Sequence, residues 1–169
     1  HLSFDTFHPN ANQIYRITTE LHGDEIEYNS SVPSPLGEAF RNEYPFAEKV
    51  ANVAALPERV ISVGAVLGKE EKYEENVAFA EPDFFKIMDF PLLTGNLETM
   101  LSTPNSAVIS ERIAKKYYGT QDPIGKTIKI DNILTMTITG VLKDLPANTD
   151  RAQEIYVPYE ALKTHSPGM

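Results

Sequence analysis

The stretch that decides the fold reads Pro104-Asn105-Ser106-Ala107-Val108-Ile109-Ser110-Glu111, runs on through Ala114, Tyr117, Tyr118 and Gly119, and closes on Asp122-Pro123-Ile124-Gly125-Lys126. It spells strand, short helix, tight turn, strand. Ser110 is a good N-cap, and Glu111 favours the positive end of the helix that follows. Ile113, Ala114 and Tyr117 fall on one helical face. Gly119 can take the left-handed conformation that ends a helix. Asp122-Pro123 and Gly125 build a turn, and residues 126–130 then alternate as a strand.

Outward from this unit the same grammar repeats. Residues 134–140 set Leu134, Met136 and Ile138 against Thr135, Thr137 and Thr139, a strand that makes a hairpin with 126–130 across Asp131-Asn132. Residues 155–157 read as a last strand and 160–163 as a helical turn. Toward the N-terminus, 13–21 alternates, with Tyr15, Ile17 and Leu21 on one face, and predicts a half-buried strand. His22-Gly23-Asp24 turns it back into 25–29. Ser34-Pro35 opens a helix carrying Leu36, Ala39 and Phe40, which Tyr44-Pro45 stops. Residues 50–56, 60–66 and 73–80 read as strands, with the charge-dense 68–75 as an exposed hairpin tip. Pro82 opens a short helix with Phe84, Phe85 and Met88, and an apolar elbow from Phe90 to Asn96 leaves it. Short helices between strands, with two hairpins that lack helices, predict an α+β fold rather than a doubly wound sheet. Residues 50–81 are expected to form a β-rich inserted segment, and 1–49 with 82–169 the α+β lobe around it.

Composition narrows the function. Of 169 residues, 41% are hydrophobic and 23% charged, ordinary globular material. The net charge of -9 excludes the basic footprint that nucleic-acid backbones require and disfavours anionic lipid heads. With no cysteine there is no disulfide framework and no thiolate chemistry. No apolar run approaches the length of a membrane span. The chain opens on His1 without an initiator methionine, as expected if flanking segments lie outside it.

Searches for chemistry give bland answers. Gly125-Lys126-Thr127 lacks the spacing and the following helix of a P-loop, and reads as a turn. His1, His8, His22 and His165 show no metal-ligand spacing, and His8 near Asp5 reads as a surface pair. Ser106 and Ser110 flank a strand-to-helix junction, but Ser110 reads as a cap rather than a nucleophile. Glu70, Glu71, Glu74 and Glu75 read as a solvated charge run rather than an acid/base pair. No catalytic residue, cofactor or metal is expected. The functional lead is a contact surface: Phe90 and Leu92 in the apolar elbow, with Lys69, Glu71 and Glu74 at the charged tip.

Four blocks of this sequence, in order, resemble the extracytoplasmic domain of MacB/FtsX-like ABC transporter permeases. They are the opening stretch from Pro104 to Lys126, Ser3-Phe4-Asp5-Thr6-Phe7-His8 followed by Ile14-Tyr15-Arg16-Ile17, the run from Phe84 to Asn96, and the run from Ile138 to Thr149. Thr149 and Asp150 depart from the residues usual there. The resemblance implies a porter-like α+β lobe split by a β-rich insertion, placed outside the cytoplasmic membrane between the first and second of four transmembrane helices. It also implies further strands beyond Met169. The implied partners are a second permease copy, an ATP-binding subunit reached through the transmembrane helices, and a periplasmic cargo or adaptor protein. A soluble extracytoplasmic ligand-binding module is the alternative.

Overall fold

The computed structural model describes residues 11–23, 26–29, 31–33, 35–66, 69–144 and 153–165. The N-terminal block of the resemblance up to His8, Ser34, the tip at 67–68 and the loop at 145–152 lie outside the described residues.

After a 3-10 turn at Ala11–Gln13, β1 (Thr19–His22) and β2 (Ile26–Asn29) form a two-stranded ribbon, and α1 (Leu36–Glu43) follows. Then come β3 (Val53–Val66), β4 (Lys69–Ala80), α2 (Asp83–Met88), β5 (Leu92–Thr94), β6 (Ser106–Ser110), α3 (Glu111–Tyr118), β7 (Thr127–Ile130), β8 (Leu134–Leu142), β9 (Ile155–Pro158) and α4 (Ala161–His165). The expected α+β character holds.

The larger sheet runs β5-β8-β6-β9-β4-β3-β7, and β7 also pairs β8. The pairings therefore close into a circuit of β8, β6, β9, β4, β3 and β7, with β5 on the far half of β8. The nine-residue length of β8 makes this possible: Leu134–Thr137 pairs β7, and Thr137–Leu142 pairs β6. Closure removes the open edges that a sheet must otherwise protect. The parallel pairs β6·β8 and β4·β9 each need a crossover, and α3 with β7 supplies the first.

Side-chain alternation divides the core in two. Val77 and Phe79 of β4, Ile109 of β6, Ile155 of β9, Ile61 of β3, Ile128 of β7 and Met136 of β8 join one cluster, against which α3 lays Ile113, Ala114 and Tyr117. Their neighbours Ala78, Val108 and Tyr156 point to the other face and join Phe84, Phe85 and Met88 of α2 with Phe90 and Met100. There Phe84, Phe85, Phe90 and Tyr156 form an aromatic knot with ring centroids 5.2–6.0 Å apart, in the offset and edge-on range that favours such pairs. Gly95, at φ 112°, seats this side of the molecule: a Cβ there would lie 2.8 Å from the Thr139 carbonyl.

Several local expectations are met in detail. Ser110 accepts from the Ile113 N–H at 3.1 Å and caps α3. Asp131 and Asn132 both adopt positive φ, as the tight β7–β8 turn requires. Pro82 stands at the N-cap of α2, and left-handed Asp89 ends that helix. Others are corrected. Alternation at 13–21 yields a strand only from Thr19, because β2 offers four partners and no more. Among the described residues both faces of the ribbon are open: Leu21 is 47% exposed rather than half-buried, and Tyr28 of β2 is 76% exposed. The 50–56 and 60–66 strands are one strand, β3, interrupted by a register shift between Leu56 and Arg59 where Glu58 takes φ 55°. The charged run from Lys69 is not a tip but the first half of β4, paired with β3. Separately, β3 and β4, which lie within residues 50–81, join the larger sheet through β4·β9 and β3·β7.

Candidate functional site

α1 is fixed to the sheet by small and polar contacts. Gly37 comes so close to Asn52 that a Cβ would lie 2.5 Å from its side chain. Arg41, one turn on, forms an ion pair with Glu81 at the end of β4, and its guanidinium also donates to the Val50 carbonyl at 3.3 Å. Glu81 accepts in addition from the Asn52 N–H at 2.9 Å and Nδ2 at 3.2 Å. This network forms one wall of a groove of about 410 Å³. Pro82 and Asp83 at the start of α2, the loop from Leu101 to Pro104, Pro158 at the end of β9, and Tyr159 and Glu160 beyond it complete the groove. Asp83 pairs with Lys86 at 3.2 Å, while Glu160 has no ion pair among the described residues.

Two further polar clusters tie elements together. Glu75 is a carboxylate only 8% exposed. It binds Lys116 Nζ at 2.6 Å and accepts from the Tyr117 hydroxyl at 3.3 Å. Tyr73 stacks on Tyr117 at 4.6 Å, and the Lys116 ammonium lies 4.9 Å over the Tyr73 ring. Burial first, then the Glu75 charge, drives the Tyr117 phenol far above the ordinary tyrosine range. Burial alone pushes Tyr118 up to about 12. At another edge of the sheet, His165 of α4 meets Asp131 at 2.6 Å, and Asp131 accepts from the Val60 N–H at 2.9 Å with Arg59 3.5 Å away. Burial would raise the Asp131 carboxyl, but the His165 hydrogen bond, the Val60 N–H and Arg59 outweigh it and hold the carboxyl below its ordinary range.

The residues expected to meet a partner are dispersed. Phe90 is 1% exposed inside the aromatic knot, which makes it a core residue and not a contact: aromatic surface of that size is held in the interior by its neighbours in the knot. Leu92 is half-buried on β5, paired with Leu142. Glu71 and Glu74 are exposed on β4, and Glu71 accepts from the Tyr73 hydroxyl. The Lys69 backbone pairs with Val66 at the start of β4. Lys126, read as a turn residue, is half-buried with its ammonium 4.6 Å over the Tyr118 ring.

Glu75 was grouped with the solvated run, yet parity could have found it. Tyr73, Glu75, Val77 and Phe79 share one face of β4, and the apolar Val77 and Phe79 mark that face as the inward one. The groove had no such signal. Its walls come from α1, the ends of β4 and β9, and a loop, brought together only by the closed sheet.

This architecture agrees with comparisons to known proteins. The profile of the MacB-like periplasmic core domain matches residues 2–168. The chain belongs to this family. Such domains stand on the periplasmic side of bacterial inner-membrane permeases. The pyoverdine export ATP-binding/permease protein PvdT of Pseudomonas aeruginosa is 30% identical over 128 residues, 68% of this chain and 19% of that protein. The macrolide export ATP-binding/permease protein MacB of Haemophilus ducreyi is 34% identical over 88 residues, 48% of this chain and 12% of that protein. The chain thus spans less than a fifth of the length of these relatives. Among solved structures, a domain assigned to a permease protein from Porphyromonas gingivalis superposes with a TM-score of 0.70 at 24% identity, over 87% of this chain and 62% of that one. The periplasmic region of MacB from Actinobacillus actinomycetemcomitans gives 0.60 at 17%, over 78% and 57%. Both likenesses are of fold. Among the described residues no helix is long and apolar enough to cross a membrane.

Proposed function

We propose that this domain is the extracytoplasmic head of an ABC permease and couples ATP hydrolysis in the cytoplasm to export, or to mechanical signalling, across the cell envelope. The observation that carries the reading is the family match over nearly the whole chain, joined to relatives whose names are those of export ATP-binding/permease proteins. In this reading the head performs no chemistry. ATP hydrolysis belongs to an ATP-binding domain or subunit, and the force reaches the head through transmembrane helices. A second copy of the permease supplies a second head. A periplasmic cargo or adaptor protein meets the pair, with Glu71, Glu74 and half-buried Leu92 as contact points on exposed parts of β4 and β5.

The test uses the full-length permease with its ATP-binding partner, reconstituted in vesicles. Because this segment has no cysteine, a Glu74→Cys pair is an unambiguous cross-link here, in a background cleared of cysteines elsewhere. Locking the two heads together through a bifunctional maleimide should abolish transport while ATP hydrolysis continues. A cleavable linker should restore transport when cut. Transport that proceeds unchanged with the heads locked contradicts the coupling role.

A further inference from the structure

Residues 14–18 have the sequence of a strand and no partner for one. Ile14-Tyr15-Arg16-Ile17-Thr18 is rich in the aromatic and β-branched residues that favour extended backbone. It leads directly into β1, so the alternation runs unbroken to Leu21. Ile14 packs against the α2 side of the core and fixes one end of the segment, and β1 fixes the other. Yet β2 pairs only Thr19–His22. Among the described residues, no N–H or C=O of residues 14–18 is hydrogen-bonded to another backbone group. The edge of β1 away from β2 also has no strand beside it among the described residues. With Tyr15 84% and Ile17 40% exposed, this is an open edge of the kind that takes up a further strand. Each of the two solved domains carries further chain that could supply it, since the match covers 62% and 57% of them. A strand tethered in the same polypeptide reaches the edge at little cost in association, and it leaves no adhesive edge for other chains.

We infer that residues 14–22 form one continuous strand in the full-length permease, paired along residues 14–18 and the open edge of β1 by a strand of the same polypeptide that follows residue 169. The pairing is backbone to backbone. It gives the amides and carbonyls of residues 14–18 their partners and sets Tyr15 and Ile17 beside side chains of the added strand. It lays no second layer over the faces of the ribbon. The inference rests on the reading of the domain as a permease head only in placing that strand after residue 169.

The test uses the full-length permease with its ATP-binding partner, reconstituted in vesicles. Hydrogen–deuterium exchange at the amides of residues 14–18 should run about a hundredfold slower than in a free peptide of the same sequence. Ile17→Pro removes one of these amides at an exposed position. It should return the segment to the peptide rate and leave the buried β6 as slow as before. Exchange at the peptide rate in the unaltered protein would overturn the proposal. Replacing exposed Tyr15 by the photo-reactive benzoylphenylalanine then identifies the neighbour. Cross-linked protein should keep monomer mass on a denaturing gel, and the cross-links should map beyond residue 169. A dimer band, a cross-link to another protein, or cross-links confined to residues 1–169 would overturn the proposal. Each of these results would leave the transport coupling untouched, since that is read from locked heads in vesicles.

Discussion

The unit from β6 to β8, whose β7 and β8 alternate apolar and polar residues, and the ribbon of β1 and β2, which alternates too, end in opposite environments. In the first, Ser106–Ser110 is buried at every position, and Ile128, Ile130, Leu134, Met136 and Ile138 are all interior. In the second, seven of eight strand residues are exposed and one is intermediate. Alternation states which side chains could share a face. It does not state whether another element covers that face. The β6–β8 unit brings its own cover, because α3 follows directly on β6 and returns its apolar stripe to the sheet. Among the described residues nothing buries the ribbon's strands, and a lone two-stranded sheet has little to stabilise it.

The comparison predicts unequal costs. Truncating the interior should be severe: Phe85→Ala, at a fully buried ring, should lose about 3–5 kcal/mol by urea denaturation. Leu21→Ala and Tyr28→Ala on the ribbon should stay within about 0.5 kcal/mol. Ribbon variants as costly as Phe85→Ala would mean that something covers the ribbon, and the contrast drawn above would fail.

Glu75→Ala sharpens the account of β4. It strands the Tyr117 hydroxyl in the core and takes away the partner of Lys116, and should cost about 1–3 kcal/mol. Exposed Glu74→Ala, one residue away, should cost almost nothing. Equal effects would make the inward parity of Tyr73, Glu75, Val77 and Phe79 irrelevant. Ser110→Ala removes the α3 cap and should cost about 1 kcal/mol.

The two polar clusters also predict the pH limits. Asp131 is held below its ordinary range by His165, Val60 and Arg59 against the opposing pull of burial. Its contribution is complete above the unfolded carboxylate pKa, about 3.9, and is lost as pH falls through the lower folded value. Asp131→Asn should therefore flatten the acid limb of a melting-temperature profile. At the alkaline end the sign reverses. Tyr118 is pushed up to about 12, so above pH ~10 the unfolded chain releases a proton that the folded one keeps, and stability falls. Tyr118→Phe should weaken that fall, which the alkaline limb of the melting-temperature profile measures directly.

How much was legible in the sequence follows the same division. The α+β class, the Ser110 cap, the Asp131-Asn132 turn and the α2 start at Pro82 depend on residues within a few positions of each other, and local chemistry determined them. Closure of the sheet was not legible. It depends on β8 being long enough to pair β7 with one half and β6 with the other, and length gives no periodicity signal. Phe90 was offered as a contact because an apolar elbow after a helix can face either way; Tyr156, 66 positions along the chain, decides that it faces inward. The groove and the Asp131–His165 pair were hidden for the same reason.

The most direct test of the central claim is the distance between two heads in the full-length permease. Spin labels at Glu74→Cys, measured by pulsed electron resonance with and without a non-hydrolysable ATP analogue, should give two distinct distance distributions. Interchange between them should stop when the ATP-binding partner is inactivated. A single distribution, identical with and without nucleotide in a transport-competent complex, would contradict the account.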